Sequence, residues 1–210
     1  MFYNDILLSV IVPCYNEDKV IRETYSRIHK VVQEHFSKYE IVFVNDGSKD
    51  DTYPILLEFA RENENVVVIN LSRNFGHQPA VSAGIHECRG THAVIMDADL
   101  QDPPEVIPEM MTMLLDNNYN VVYGVREVRK GESLFKKASA YLFYRLINYL
   151  SETKLPLDTG DFRLIDRKVI DVFNRLREKQ KYIRGIISWI GFSQQPFYYE
   201  RDARVAGDTK

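Results

Sequence analysis

Short, mostly apolar runs recur along the first half of the chain, at Leu7 to Val12, Glu40 to Asn45, Val66 to Leu71 and His92 to Met96. A run so short and so nearly free of polar residues has no face to give to water, so it reads as a strand buried on both sides. The stretches between, about Lys19 to Phe36, Thr52 to Glu62 and Gln78 to Cys88, read as helices. The resulting βαβαβαβ order predicts an α/β fold, a Rossmann-like open sheet, mostly parallel, with helices on both faces. Sheets of this kind bind ligands at the carboxyl ends of their strands. The polar clusters of this sequence stand at those ends.

Further along, Asp102-Pro103-Pro104-Glu105 has the prolines and the acidic first turn of a helix start leading into Val106 to Leu115. Asn120 to Val125 reads as a strand, Arg126 to Glu132 as a charged mobile loop, and Thr159 to Ile165 as a turn and strand. Helices are expected near Arg167 to Leu176 and Ile183 to Ile190, and a β segment over Phe192 to Tyr199. Leu134 to Leu150 mixes aromatics and leucines with Lys136, Lys137 and Arg145, which suits either an ordinary packing helix or one lying on a membrane surface.

At 210 residues the chain fits one domain with a sizeable core. Its net charge of -3 is spread over both signs, so no nucleic-acid partner is expected. Cys14 and Cys88 sit beside apolar residues and read as buried thiols, in keeping with a cytosolic setting. Met1 to Ser9 lacks the pattern of a signal peptide, and no uncharged apolar run reaches the roughly 20 residues needed to cross a bilayer.

Asp97 and Asp99 flank one small residue directly after an apolar run. Two carboxylates leaving a strand end together suit Mg²⁺ or Mn²⁺, which takes its remaining ligands from water and a substrate diphosphate. Gln101 adds a carbonyl for the metal or a hydrogen bond for a phosphate. Asp46 precedes Gly47 at another strand end and offers a carboxylate to ribose or base donors, or else caps an ordinary turn. Pro13 to Glu17 ends the first strand, with Tyr15 for stacking on a base and Glu17 for hydrogen bonding.

Taken together, Ser9-Val-Ile-Val-Pro-Cys-Tyr-Asn-Glu17, Asn45-Asp-Gly-Ser-Lys-Asp-Asp-Thr52, Arg73-Asn-Phe-Gly76 and Met96-Asp-Ala-Asp-Leu-Gln-Asp-Pro-Pro-Glu105 resemble the family 2 glycosyltransferases of GT-A fold. Tyr123-Gly-Val-Arg126, Thr159-Gly-Asp-Phe-Arg-Leu164 and Ala206-Gly-Asp-Thr-Lys210 extend the likeness over nearly the whole chain. Within the family the sequence looks most like the polyprenyl-phosphate branch, which includes dolichol-phosphate mannose synthase and the bactoprenol glucosyltransferases.

The resemblance implies a single GT-A catalytic domain over 1–210, with about 1–125 binding a nucleotide-sugar and about 126–210 forming an acceptor and membrane-proximal part. It also implies natural membrane helices beyond Lys210, a catalytic domain on the cytoplasmic face of a membrane, and a homo-oligomer. Pro13, Tyr15, Glu17 and Asp46 would hold the nucleotide, Asp97, Asp99 and Gln101 the metal and diphosphate, and Asp161 would be the catalytic carboxylate. His77 stands where the family often has Lys.

A polyprenyl-phosphate acceptor calls for cations, and Arg126, Arg129, Lys130 and Arg163 are the candidates, since guanidinium groups match phosphate geometry. Arg201, Arg204 and Lys210 form a second basic cluster. The expected reaction is inverting transfer of a sugar from a nucleotide-sugar, UDP-linked in preference to GDP-mannose, to the lipid phosphate. One alternative extends a polysaccharide on a sugar hydroxyl, and another binds a nucleotide-sugar without turnover. A nucleotidyltransferase is disfavoured because Pro13 to Asp18 is acidic where a glycine-rich basic phosphate loop would stand.

Overall fold

The computed structural model describes residues 2–126, 159–178 and 181–200. Its strands are β1 (Tyr3–Cys14), β2 (Phe36–Asn45), β3 (Val66–Asn70), β4 (His92–Ile95), β5 (Val121–Arg126), β6 (Thr159–Asp166) and β7 (Gln194–Tyr199). The helices are α1 (Ile21–His35), α2 (Thr52–Glu62), α3 (His77–Glu87), α4 (Ile107–Asp116), α5 (Arg167–Arg175) and α6 (Ile183–Trp189), and a single 3₁₀ turn over Pro104–Val106 leads into α4. The strands form one seven-stranded sheet in the order β3-β2-β1-β4-β6-β5-β7.

Successive side chains on a strand point to opposite faces, and both faces here are apolar. Val10, Val12, Phe43, Val94 and Leu164 pack toward α1, α2 and α4, while Ile11, Val42, Val44, Ile95 and Ile165 pack toward α3, α5 and α6. This double burial is why the strands read as continuous apolar runs.

The neighbours of β1 and β2 are parallel, but β6 pairs antiparallel with both β4 and β5, and β7 returns to the parallel direction beside β5. The wholly parallel βαβ succession of the first half therefore gives way to one reversed strand. That reversal has a functional consequence: the amino-terminal end of β6, with Gly160 and Asp161, lies at the same sheet edge as the carboxyl ends of β1, β2 and β4. The register pairs Ile95 with Arg163. Extending it by two residues sets Asp97 across from Asp161.

A polar cluster inside the sheet layer fixes the entry to β4. Glu40 is 2% exposed and accepts from Ser9 Oγ at 2.6 Å, from the Arg89 backbone N–H at 2.6 Å and from Arg89 Nε at 2.8 Å. Ser9 Oγ in turn accepts from the Gly90 N–H at 2.8 Å. Arg89 itself is largely exposed, so the bonds to Ser9 and to the backbone carry most of the stabilisation. Glu40→Leu removes the acceptor for these buried donors and is expected to cost about 2–4 kcal/mol, read as a lower midpoint in urea unfolding. An unchanged midpoint would show that the cluster is energetically neutral.

Candidate active site

The segments that follow β1 and β2 hold each other. Asn16, in the left-handed region at φ 57°, donates its N–H to Ser48 Oγ at 3.0 Å and accepts the Lys49 N–H on its side chain at 2.8 Å. The Glu17 N–H donates to Thr52 Oγ1 at 2.8 Å. Gly47 has φ 64°, and a Cβ there would lie 2.5 Å from the Arg73 carbonyl carbon, so only glycine lets this turn meet the Arg73–Gly76 segment. Asp46, 3% exposed, clamps that segment by accepting the Phe75 and Gly76 N–H groups at 2.7 and 2.8 Å. The close approach at Gly47 is thus between two stretches of this chain's own backbone.

After β4, Leu100 at φ 57° turns the chain back, and Asp99 Oδ1 accepts the Gln101 N–H at 3.1 Å. Helix α1 supports the turn, with Thr24 Oγ1 donating to the Ala98 carbonyl at 2.7 Å. Pro13, Tyr15, Glu17, Asp46, Asn74, His77, Asp97 and Asp99 then line one cleft of about 530 Å³. Gln101 is half-buried just beyond this lining.

Asp161 sits beside the cleft, with His77 bridging the gap. His77 Nε2 lies 3.0 Å from Asp161 Oδ2 and 3.8 Å from Asp97 Oδ1. Gln78 Nε2 donates to Asp161 Oδ2 at 3.1 Å, and Arg184 Nε approaches Asp161 Oδ1 at 3.2 Å. Burial works to raise the Asp161 carboxyl, but the His77 hydrogen bond and the Arg163, His77 and Arg184 charges outweigh it and hold it below the usual range. Burial lowers the His77 imidazole, yet the Asp161 hydrogen bond and the Asp97 and Asp161 charges bring it above its ordinary value.

Asp97 behaves differently. Burial pushes its carboxyl up to about 6; His77 opposes this, and the nearby Asp102, Asp99 and Asp161 carboxylates add to it. Carboxylates crowded in this way, next to room for a ligand, form an oxygen-donor set deficient in positive charge, which fits a hard divalent cation. Among the described residues no three His, Cys, Asp or Glu side chains form a ready-made cage.

Of the cations expected on an acceptor phosphate, Arg126 ends β5 with its guanidinium against Gly160, where a Cβ would meet Nη2 at 2.7 Å. Its Nη2 is 3.6 Å from Asp102 Oδ1, and its buried Nε makes no hydrogen bond. Tyr199 donates its hydroxyl to Asp102 Oδ1, tying β7 to the same carboxylate. Arg163 is 3% exposed, with Nε and Nη2 donating to the Asp161 and Gly160 carbonyls at 3.3 and 3.1 Å. In this state the buried guanidinium braces the start of β6. Arg129, Lys130, the segment Leu134 to Leu150 and the basic cluster Arg201, Arg204 and Lys210 lie outside the described residues.

The sequence profile of glycosyl transferase family 2 matches residues 9–173, a span that includes Asp46, His77, Asp97, Asp99 and Asp161. The chain belongs to glycosyl transferase family 2. Among its relatives in this family, the Bacillus subtilis (strain 168) protein named uncharacterized glycosyltransferase YkcC is 50% identical over 98% of this chain and 63% of its own length. The prophage bactoprenol glucosyl transferase homolog of Escherichia coli (strain K12) is 36% identical over 97% of this chain and 66% of its own length. The chain thus spans somewhat under two thirds of these family 2 relatives.

The sheet also has the GT-A arrangement expected from the sequence. Glucosyl-3-phosphoglycerate synthase from Mycobacterium tuberculosis, solved with Mn²⁺, UDP and glucosyl-3-phosphoglycerate, superposes with TM-score 0.66 at 18% identity, over 97% of this chain and 74% of that one. Three groups around Asp161 were not named as site residues from the sequence of this family 2 domain: His77, Gln78 and Arg184. The first two follow directly on the Arg73-Asn-Phe-Gly76 motif, a position that marks them. Arg184 lies beyond the matched span and carries no motif signal.

Proposed function

We propose that this chain is the catalytic part of an inverting transferase that moves a sugar from a nucleotide-sugar to a polyprenyl phosphate at the cytoplasmic face of a membrane, with Mg²⁺ or Mn²⁺ as cofactor. The observation that carries the reading is the meeting of Asp97, Asp99 and Asp161 at the edge of a cleft whose other wall is Pro13, Tyr15, Glu17 and Asp46. Residues about 1–125 would form the donor part and about 126–210 the acceptor part. The Escherichia coli and Bacillus subtilis relatives support the reaction class, and the likeness to a bactoprenol glucosyl transferase homolog favours a glucosyl donor and a lipid acceptor.

In this reading Tyr15 stacks on the base and Glu17 receives its hydrogen bonds, while Asp46 fixes the Phe75–Gly76 backbone that borders the donor. Asp97, Asp99 and Gln101 would hold the cation, which supplies Lewis-acid stabilisation of the departing diphosphate. Asp161, held ionised by its cationic neighbours, orients the acceptor or takes its residual proton. Arg126, whose side chain is partly exposed, offers its guanidinium to the acceptor anion. Among the described residues no helix is long and apolar enough to cross a membrane. In this reading membrane contact comes from the Leu134 to Leu150 stretch, whose aromatics and leucines are mixed with Lys136, Lys137 and Arg145.

The test is transfer from labelled UDP- and GDP-sugars to short-chain polyprenyl phosphate in detergent with Mg²⁺ or Mn²⁺, using the chain with any natural extension it has. A metal-dependent glycolipid is expected. Transfer to a saccharide hydroxyl with no lipid product would replace this reading by glycan extension, and donor binding without turnover would replace it by a binding module.

A further inference from the structure

One side chain joins two helices to the reacting carboxylate. Gln78, in the first turn of α3, donates from Nε2 to Asp161 Oδ2 at 3.1 Å and accepts the Ile183 backbone N–H on Oε1 at 2.8 Å. The two ends of the amide are fixed by their partners, since a carboxylate only accepts and a backbone N–H only donates. Ile183 opens α6, whose N-cap Tyr182 makes no side-chain capping bond, so Gln78 satisfies one of the helix's otherwise orphaned donors. The next residue is Arg184, with Nε 3.2 Å from Asp161 Oδ1. Gln78 therefore sets both the carboxylate and the helix that carries the cation facing it.

The two oxygens of Asp161 are unequally used. Oδ2 is engaged by His77 at 3.0 Å and Gln78 at 3.1 Å, which stops rotation about the Cβ–Cγ bond. Oδ1 is buried and makes the ion contact with Arg184 but no hydrogen bond. We propose that Gln78 is a positioning residue that anchors Asp161 through Oδ2 and docks α6 beside it, so that the carboxylate keeps one orientation against Arg184. This rests on the reading of Asp161 as the reacting carboxylate. Positional precision is what such a brace contributes, and loss of precision at a reacting group acts on turnover more than on donor binding.

The test compares two variants in steady-state transfer, each in the wild-type and in the Asp161→Asn background. Gln78→Met keeps the length of the side chain and removes both bonds, while Gln78→Glu keeps the bond to Ile183 and removes the donor to Asp161. Each is expected to lower kcat about tenfold or more with the donor KM within about twofold. In the Asp161→Asn background the further loss from Gln78→Met should shrink to less than about twofold, because the group it positions is already disabled. Wild-type kcat in both variants, or an equal loss in both backgrounds, overturns the positioning role. Should Gln78→Met fail to fold, wild-type kcat in Gln78→Glu alone overturns it. Normal transfer by Asp161→Asn itself would instead sink the reading of Asp161, and this proposal with it.

Discussion

Asp99→Ala is expected to reduce sugar transfer by about 10³-fold or more, because a metal-held diphosphate is worth several kcal/mol of leaving-group stabilisation and each 1.4 kcal/mol is tenfold. Asp99 is 8% exposed and lines the cleft with Asp97. Its Oδ1 also holds the Gln101 N–H, so alanine removes a turn contact as well as a charge. Asp99→Asn separates the two, since its amide oxygen keeps the turn bond while the charge is gone. Both variants should therefore lose transfer, with Asp99→Asn retaining the wild-type melting temperature. Chelation of divalent ions should silence the wild-type enzyme to the same extent, and added Mn²⁺ or Mg²⁺ should restore it but not the variants. Undiminished transfer by Asp99→Ala in the presence of chelator would remove the metal from the mechanism.

The first half of the fold could be read from the sequence because both faces of the sheet are covered there. Burial on both sides turns Leu7 to Val12 and His92 to Ile95 into plain apolar runs, and the polar residues that follow are then strand ends by position alone. The ends of the runs were less legible. Strand β1 begins at Tyr3, whose ring stacks on Phe36 and whose hydroxyl donates to the Pro108 carbonyl at 2.9 Å, contacts to residues distant in sequence that an apolar pattern does not record. Exposed Asn4 and Asp5 hide this extension. The direction of β6 was illegible for a different reason. An apolar run looks the same whichever way its strand points, so the antiparallel register that sets Asp97 across from Asp161 emerges only from tertiary pairing. The groups surrounding Asp161 follow the same rule: Arg184 reaches it because α6 docks on α3, a contact between segments with no shared motif. Arg163 shows the converse, a residue whose charge suggested a ligand while its strand position dictated burial.

Asp161→Asn is expected to lower kcat by about 10²- to 10⁴-fold while leaving donor affinity within about threefold, and where the loss falls in that range bears on the acceptor. The substitution keeps the shape of the side chain and its contacts at Oδ2, but it places a neutral amide among His77, Arg163 and Arg184, three groups whose charges now hold the carboxylate ionised. His77 lines the cleft together with Tyr15 and Glu17, but the variant leaves all three side chains unchanged, so the donor should bind as before. A sugar hydroxyl must surrender its proton as it attacks, and loss of the base would then cost close to 10⁴-fold. A lipid phosphate is already largely ionised near neutral pH, so the same variant should lose nearer 10²-fold, the value of orientation and of electrostatic balance alone. Raising the pH should recover little activity with a phosphate acceptor, because little proton remains to be removed. Single-turnover transfer by the purified variant, run beside isothermal titration of the donor, measures both quantities. A loss of donor affinity as large as the loss of turnover would move Asp161 from the reacting centre to the donor site.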